Sequence, residues 1–163
     1  MTSEGVGLAD FHELSESDAE AALLTCCSAP RWARQVAAGR PYPSVDALLA
    51  AADAALTELT ESEIDEALAG HPRIGDRPTS AASAREQSGV SGDTVLAALA
   101  EGNRAYEAKF GHLYLVCAAG RSGAELLAVL RARLDNDPTT ERQVMRTELA
   151  KINRLRLTRL VAS

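Results

Sequence analysis

The sequence has few of the residues on which metalloproteins and disulfide-linked secreted proteins depend. It contains three histidines and three cysteines among 163 residues, and neither Cys-x-x-Cys nor His-Glu-x-x-His occurs. We therefore expect no metal site. Cys26 and Cys27 are adjacent, and neighbouring cysteines do not ordinarily bridge each other. An odd number of cysteines, two of them adjacent, indicates reduced thiols in an intracellular compartment.

Long hydrophobic runs and an excess of positive charge are lacking too. The longest apolar runs, such as residues 113–119, are far shorter than the roughly 20 residues of a membrane helix. No basic segment followed by an apolar one opens the chain, so we expect neither secretion by that route nor a membrane span. Lys and Arg number 17 against 23 Asp and Glu, which leaves no positive field for nucleic acid or anionic lipid. The expected partner is a small molecule or a protein.

The sequence has the composition of a soluble domain and contains residues that typically begin and end helices. Hydrophobic residues make up 46% and charged residues 25%, which is typical of one compact soluble domain. Cap and stop residues predict helices over about Ser15–Cys27, Ser44–Leu56, Thr60–Gly70, Asp93–Lys109, Ser122–Leu134 and from Pro138 onward. We predict an all-α fold: one compact helical bundle over residues 1–163, with a flexible N-terminus at 1–7.

One apolar stretch, Phe110–Gly120, departs from the helical pattern. It is short and bounded by glycines, and we interpret it as a single extended segment. Since buried backbone groups outside a helix need other hydrogen-bond partners, a ligand lying against this segment could be one of them.

The most unusual stretch is Gly70–Pro78, directly after a predicted helix. Gly70 suits the left-handed position that ends a helix, and Pro72 restricts His71 to an extended conformation. A histidine on so stiff a corner can donate and recover a proton near neutral pH. The alternative is a helix-stop loop whose histidine is merely exposed.

A polar turn of helix follows at residues 83–90. Its first turn places Ser83, Glu86 and Gln87 together, where they could orient a polar heterocycle or an imidazole. Ser83 and Glu86 also have the spacing of a capping box, so a purely structural role is the alternative.

The last predicted helix carries an arginine on its core-facing side. Arg156 lies in the middle of the stripe formed by Met145, Leu149, Ile152 and Leu160. There it must extend its guanidinium to solvent or meet an anion. A substrate carboxylate and an internal salt bridge are the two alternatives for that anion.

Four other residues receive structural interpretations. We expect Trp32 to lie in the core and His12 to be solvated. Cys117 is expected to behave as a small buried hydrophobe and not as a nucleophile. His112 is given no role.

Several motifs follow one another in a recognisable order. They are His71-Pro72-Arg73-Ile74-Gly75, Ser83-x-x-Glu86-Gln87-x-Gly89-Val90, Phe110-Gly111-His112 with Leu115-Val116-Cys117-Ala118, Asn136-Asp137-Pro138, and Lys151-Ile152-x-x-Leu155-Arg156-Leu157. In order and spacing the chain resembles the OHCU decarboxylase family, which acts on 2-oxo-4-hydroxy-4-carboxy-5-ureidoimidazoline (OHCU) in urate breakdown. The resemblance extends from Leu8 to Leu160.

The resemblance implies an all-α homodimer, without metal or organic cofactor, that converts OHCU to (S)-allantoin with loss of carbon dioxide. By position, it assigns catalysis to His71, Glu86 and Arg156. It assigns substrate binding to Pro72, Ser83, Gln87 and the backbone of Leu115, Val116, Cys117 and Ala118. The pairs Asp76-Arg77 and His112-Leu113 are expected to differ among relatives, which concerns the shape of the pocket and not its chemistry.

A mechanism follows from these assignments as a hypothesis. We expect His71, held by Pro72 and hydrogen-bonded to Glu86, to shuttle the proton, because a carboxylate partner raises the pKa of an imidazole. Arg156 is expected to engage an oxygen on which charge develops.

Two other functions are alternatives, a non-catalytic helical interaction module and a hydrolase of a neighbouring ureide. The C-terminal Leu-Val-Ala-Ser is not an address of the Ser-Lys-Leu type, so a cytoplasmic location is expected. Functional coupling to urate oxidase and hydroxyisourate hydrolase would supply the substrate.

Overall fold

The computed structural model describes residues 6–76, 81–90 and 92–162. Over these residues the chain forms α-helices and no β-strand, which confirms the predicted all-α class. No helix in this part of the chain is long and apolar enough to cross a membrane. The helices are α1 (Leu8–Glu13), α2 (Glu16–Leu24), α3 (Pro30–Ala38), α4 (Val45–Thr57), α5 (Glu61–Leu68), α6 (Ala81–Glu86), α7 (Asp93–Phe110), α8 (Gly123–Arg133) and α9 (Pro138–Leu160).

The helices fall into two compact units. Unit 1 comprises residues 1–70 and 150–163, and unit 2 comprises residues 71–149. Helices α1 to α5 belong to unit 1 and α6 to α8 belong to unit 2, whereas α9 contributes residues to both. The single-domain organisation stays a prediction.

Side-chain caps mark most of the predicted helix starts. The capping residues are Ser15 of α2, Ser44 of α4, Thr60 of α5 and Ser122 of α8. Thr60 and Ser122 form complete capping boxes with Glu63 and Glu125, so two otherwise unpaired N–H groups at each helix start are satisfied. The cap predicted at Asp93 is wrong by one residue, since Gly92 precedes α7 and Asp93 is its first helical residue.

Two helices were not predicted from the sequence, and Gly70 is required for a different reason than expected. Neither α1, after Gly7, nor α3, which begins at Pro30, has a side-chain cap. The left-handed conformation expected at Gly70 is wrong, because this residue is not among the glycines with positive φ. A Cβ atom at Gly70 would lie 2.4 Å from Ser28 Oγ, so close packing accounts for the glycine.

The core of unit 1 contains the only tryptophan of the sequence. Trp32 is fully buried, as expected, and its indole N–H donates to the Ala52 carbonyl at 3.0 Å. Cys26 and Cys27 are buried free thiols in the same unit. The ring and both thiols are thus shielded from solvent.

The core of unit 2 surrounds the extended segment. Residues 113–118 are neither helix nor strand, and the positive φ angles of Gly111 (77°) and Gly120 (75°) turn the chain at both ends of the segment. Tyr106 and Tyr114 are fully buried there, and the Tyr114 hydroxyl donates to the Leu126 carbonyl at 2.9 Å. The predicted non-helical segment is therefore confirmed.

Candidate active site

The corner that carries His71 is held in place by several hydrogen bonds within unit 2. The Ile74 carbonyl accepts from Asn103 Nδ2 at 2.9 Å, and the Gly75 N–H donates to Gln87 Oε1 at 3.0 Å. Gly75 needs its glycine because φ is 92°. His71 is half-buried at the start of this corner. The loop that follows His71 is thus anchored at Ile74 and Gly75.

A second anchor ties the same corner to α7. The Arg73 guanidinium donates to both carboxylate oxygens of Glu107, with Nε 2.9 Å from Oε2 and Nη2 3.0 Å from Oε1. Asp76 lies 3.8 Å from the same guanidinium. Half-buried Pro72 lies between His71 and this anchor. Arg77 and Pro78, at the end of the predicted stretch, lie outside the described residues.

Ser83 and Glu86 lie on one buried face of α6. The relative exposure of Ser83 is 3% and that of Glu86 is 6%. Because α6 begins at Ala81, Ser83 is not the residue that precedes the helix, so the capping-box alternative for this pair is wrong. Carboxylates are almost never buried to this extent unless they are paired with another polar or charged group.

Gln87 connects α6 with the histidine corner. Its side-chain carbonyl is engaged by the Gly75 N–H, which leaves the amide nitrogen as the group able to donate to a ligand. The close approach of Gly89 to Arg121 fixes the chain just beyond, since a Cβ atom there would lie 2.6 Å from the Arg121 carbonyl oxygen.

The backbone of the extended segment has polar partners on both sides of Val116. The Leu115 carbonyl accepts from Arg133 Nη1 at 2.7 Å, and the Cys117 N–H donates to Glu148 Oε1 at 3.1 Å. The Ala118 carbonyl accepts from the Arg121 N–H at 3.1 Å. Among the described residues, no hydrogen bond engages the Val116 amide N–H or carbonyl, although this residue is buried.

The Cys117 thiol lies within electrostatic range of two buried carboxylates. Burial raises the pKa of the Cys117 thiol, and the negative charges of Glu148 and Glu86 raise it further. Both carboxylates therefore lie within electrostatic range of the thiol. Cys117 is half-buried and not fully buried as expected. Its raised pKa keeps the sulfur protonated and argues against a nucleophilic role.

Arg156 belongs to unit 1, on the final turns of α9. It is half-buried, and its Nη1 donates to the Cys26 carbonyl at 3.3 Å. Met145, Leu149 and Ile152 of the predicted stripe are buried, whereas Leu160 is half-buried. The arginine thus sits on the apolar side of its helix, as the periodicity indicates.

Sequence reasoning missed three buried charged residues of unit 2, Arg133, Glu141 and Glu148. Arg133 follows Leu126 and Leu130 on the same face of α8, at intervals of four and three residues. The argument applied to Arg156, a charge within an apolar stripe, would therefore have found Arg133 as well.

The remaining histidines are engaged in structural contacts. His12 is not solvated as expected, because its Nε2 accepts from the Tyr42 N–H at 3.0 Å in a half-buried position. His112 packs edge-on against Tyr106 at 5.5 Å between ring centroids. No group of three or more His, Cys, Asp or Glu side chains that could hold a metal ion occurs in the described ranges.

Sequence comparisons identify relatives over most of the chain. A family model described as OHCU decarboxylase matches residues 12–158. The uric acid degradation bifunctional protein TTL of Arabidopsis thaliana is 33% identical over 145 residues, which cover 83% of this chain and 45% of that protein. The chain therefore spans about half the length of this relative.

Two solved structures share the fold. A crystal structure of OHCU decarboxylase in the presence of (S)-allantoin superimposes with a TM-score of 0.79 at 26% identity, over 92% of this chain and 100% of that one. A crystal structure of (S)-allantoin synthase gives a TM-score of 0.73 over 95% of this chain and 54% of that one. At 18% identity, the second match shows the fold alone.

The fold and these matches first place the chain in a class of all-α proteins whose family model and solved relative are described as decarboxylases. Residues 12–158 include every residue that the motifs assign to catalysis or substrate binding. The chain belongs to the OHCU decarboxylase family.

Proposed function

We propose that this chain converts OHCU to (S)-allantoin in urate breakdown, with His71 as the proton donor. The observation that carries the proposal is the arrangement in unit 2, where the buried Glu86 carboxylate lies within electrostatic range of Cys117 in the extended segment. In the same segment, no hydrogen bond among the described residues engages the Val116 amide. The same unit fixes the His71 corner through Asn103 and Gln87. A planar ureide has amide edges that such a backbone segment can bind.

The chemistry requires one bond cleavage and two proton transfers. When the carbon–carbon bond to the carboxylate breaks, its electron pair stays on the ring carbon and is delocalised into the adjoining imidazoline and carbonyl system. Carbon dioxide leaves, and the hydroxyl on that carbon becomes the ring carbonyl as its proton passes to the adjoining ring nitrogen. A proton delivered to one face of the neighbouring carbon, which carries the ureido group, then gives a single enantiomer of allantoin. The task of the protein is therefore to hold the ring in one orientation and to place one acid on one side.

His71 and Glu86 are the proposed acid and its positioning partner. An imidazolium can give up a proton and recover it near neutral pH. A carboxylate that accepts from one ring N–H selects the tautomer and the orientation of the other nitrogen. Ser83 and Gln87, at the same turn of α6, are proposed to bind the polar edge of the substrate with Pro72 as an apolar wall.

Arg156 is proposed to bind the anionic substrate through an oxygen on which charge develops. Tight binding of the departing carboxylate would stabilise the ground state and slow the reaction, so an oxygen of the ring system is the better partner. This assignment rests on the family resemblance and on the place of Arg156 in the apolar stripe of α9.

We further propose that the protein is a homodimer that acts in the cytoplasm without a metal or organic cofactor. Urate oxidase and hydroxyisourate hydrolase are proposed to supply OHCU, either as separate proteins or as a fused partner. The match covers 45% of the bifunctional Arabidopsis relative, which agrees with either arrangement.

The test generates OHCU in place from urate with the two preceding enzymes and follows the circular dichroism of allantoin. Wild-type protein is expected to speed the loss of OHCU and give one optically active product. His71→Asn is expected to fold normally and lose turnover by about 10²- to 10⁴-fold, the usual contribution of a general acid.

His12→Asn is the matched control, since it makes the same change at a histidine whose contact is structural. It should retain full turnover. Decay at the spontaneous rate to a racemate with wild-type protein would contradict the decarboxylase and favour an interaction module. Consumption of a ureide without release of carbon dioxide would favour a hydrolase, and an active His71→Asn would remove His71 from the mechanism.

A further inference from the structure

A buried ionic cluster in unit 2 lies outside the residues assigned to catalysis. Arg133 is 6% exposed and Glu141 is fully buried. Arg133 Nε donates to Glu141 Oε2 at 2.8 Å, and the Tyr106 hydroxyl donates to the same oxygen. Asn136 Nδ2 donates to the other carboxylate oxygen at 3.1 Å. Although burial alone would raise it, these hydrogen bonds lower the pKa of Glu141, so the carboxylate is charged at neutral pH.

The cluster reaches the extended segment through the free end of the guanidinium. Arg133 Nη1 donates to the Leu115 carbonyl at 2.7 Å, and its guanidinium carbon lies 4.9 Å from the centroid of the Tyr114 ring. A guanidinium is rigid and planar, so fixing one edge on Glu141 fixes the direction of the other edge. The position of the Leu115 carbonyl is thereby set by Glu141.

A second buried carboxylate holds the segment from the other side. Glu148, 6% exposed, accepts from the Cys117 N–H at 3.1 Å. The two charged side chains thus fix the residues directly before and after Val116. The Val116 amide groups, which no hydrogen bond among the described residues engages, are held between two restrained neighbours.

We propose that Arg133 and Glu148 are positioning residues that set the Val116 backbone amide for binding to the substrate ring. This inference rests on the proposed function, because it names the segment that would bind the ureide. It also gives the Asn136-Asp137-Pro138 motif a role. Within that motif, Asn136 orients Glu141 by donating from Nδ2 to its carboxylate.

Steady-state kinetics separate positioning from general stability. An amide that binds the ring equally in the ground state and the transition state affects KM and not kcat. Arg133→Met removes every donor to Leu115 and is expected to raise KM by about tenfold or more with little change in kcat. Arg133→Lys keeps the charge but cannot serve Glu141 and Leu115 together, so an intermediate KM is expected.

Arg131→Met is the matched control, because Arg131 is exposed two residues earlier on the same helix. It should leave both KM and kcat unchanged. An Arg133 variant with lower kcat and unchanged KM has simply lost active protein, and that result would overturn the proposal.

A measurement on the wild-type protein tests the binding of ligand at Val116 even where the Arg133 variants do not fold. On titration with (S)-allantoin, the ¹⁵N-labelled amide of Val116 is expected to show one of the largest shifts in the spectrum. Shifts confined to other residues, such as His71 and Gln87, would overturn the inference while leaving the proposed function intact. A wild-type protein with no shifts and no turnover of OHCU would instead overturn the proposed function.

Discussion

At the scale of single residues, Cys27 makes stability depend on pH in a way that can be checked. Burial is the main reason that the pKa of its thiol is raised from 9.0 to about 11. Between these values the unfolded chain releases the proton while the folded protein keeps it, so stability falls as pH rises. At pH 10 this one thiol should lower the free energy of unfolding by about 1 kcal/mol.

Urea unfolding at pH 7 and pH 10 measures the effect. Cys27→Ala and Cys27→Ser both remove the ionisable thiol, so each should lose less stability than wild type between the two pH values, whatever its stability at pH 7. Equal losses in all three proteins would show that the thiol ionises normally in the folded state.

Residue-scale reasoning from sequence found some charged residues of unit 2 and missed others for a physical reason. Glu86 was found because it lies three residues from Ser83 in a turn with an obvious stop. The periodicity of α8 would have placed Arg133 in the apolar stripe, although the sequence analysis did not apply the argument there. The sequence could not reveal the partners of Arg133, because Leu115 and Glu141 lie 18 and 8 residues away and are brought to it only by the fold.

At the scale of elements, the stop after α6 depends on one glycine. A Cβ atom at Gly89 would lie 2.6 Å from the Arg121 carbonyl oxygen, which is backbone and cannot rotate away. Gly89→Ala is therefore expected to destabilise the protein by about 1 to 3 kcal/mol, the usual cost of overpacking. Because Glu86 ends the same helix, turnover of OHCU should fall as well.

Ser88→Ala provides the comparison, since Ser88 is an exposed neighbour and such surface changes usually stay within about 0.5 kcal/mol. Urea midpoints of the two variants and of wild type give the result. A Gly89→Ala protein as stable as Ser88→Ala would mean that α6 and Arg121 move apart at no cost.

The start of a helix could be predicted from the sequence where the groups that cap it are close together in the chain. The starts of α2, α4, α5 and α8 are fixed by a side chain and an N–H group three residues away, so the sequence alone reveals them. In contrast, α1 and α3 have no side-chain cap, and nothing local distinguishes their starts from a loop. The conformation of Gly70 was predicted wrongly for the same reason, since its cause is the approach of Ser28, 42 residues earlier.

At the scale of the whole molecule, the family and the fold are better defined than the organisation of the chain. The family match spans residues 12–158 and therefore crosses both boundaries between unit 1 and unit 2. The family resemblance implies catalytic roles for His71 and Glu86, which belong to unit 2, and for Arg156, which belongs to unit 1. Whether the two units unfold together is thus directly relevant to the proposed function.

Thermal unfolding followed by two probes tests the single-domain prediction. Trp32 is the only tryptophan and lies in unit 1, so its fluorescence reports that unit, whereas circular dichroism at about 222 nm reports helices of both units. Because α9 continues without interruption through the boundary at residues 149–150, unfolding one unit would end that helix in its middle. We expect the two probes to give one midpoint, and saturation with (S)-allantoin to raise it for both by mass action. Two separate midpoints, with only one of them raised by (S)-allantoin, would contradict the single domain and identify the unit that binds the ligand.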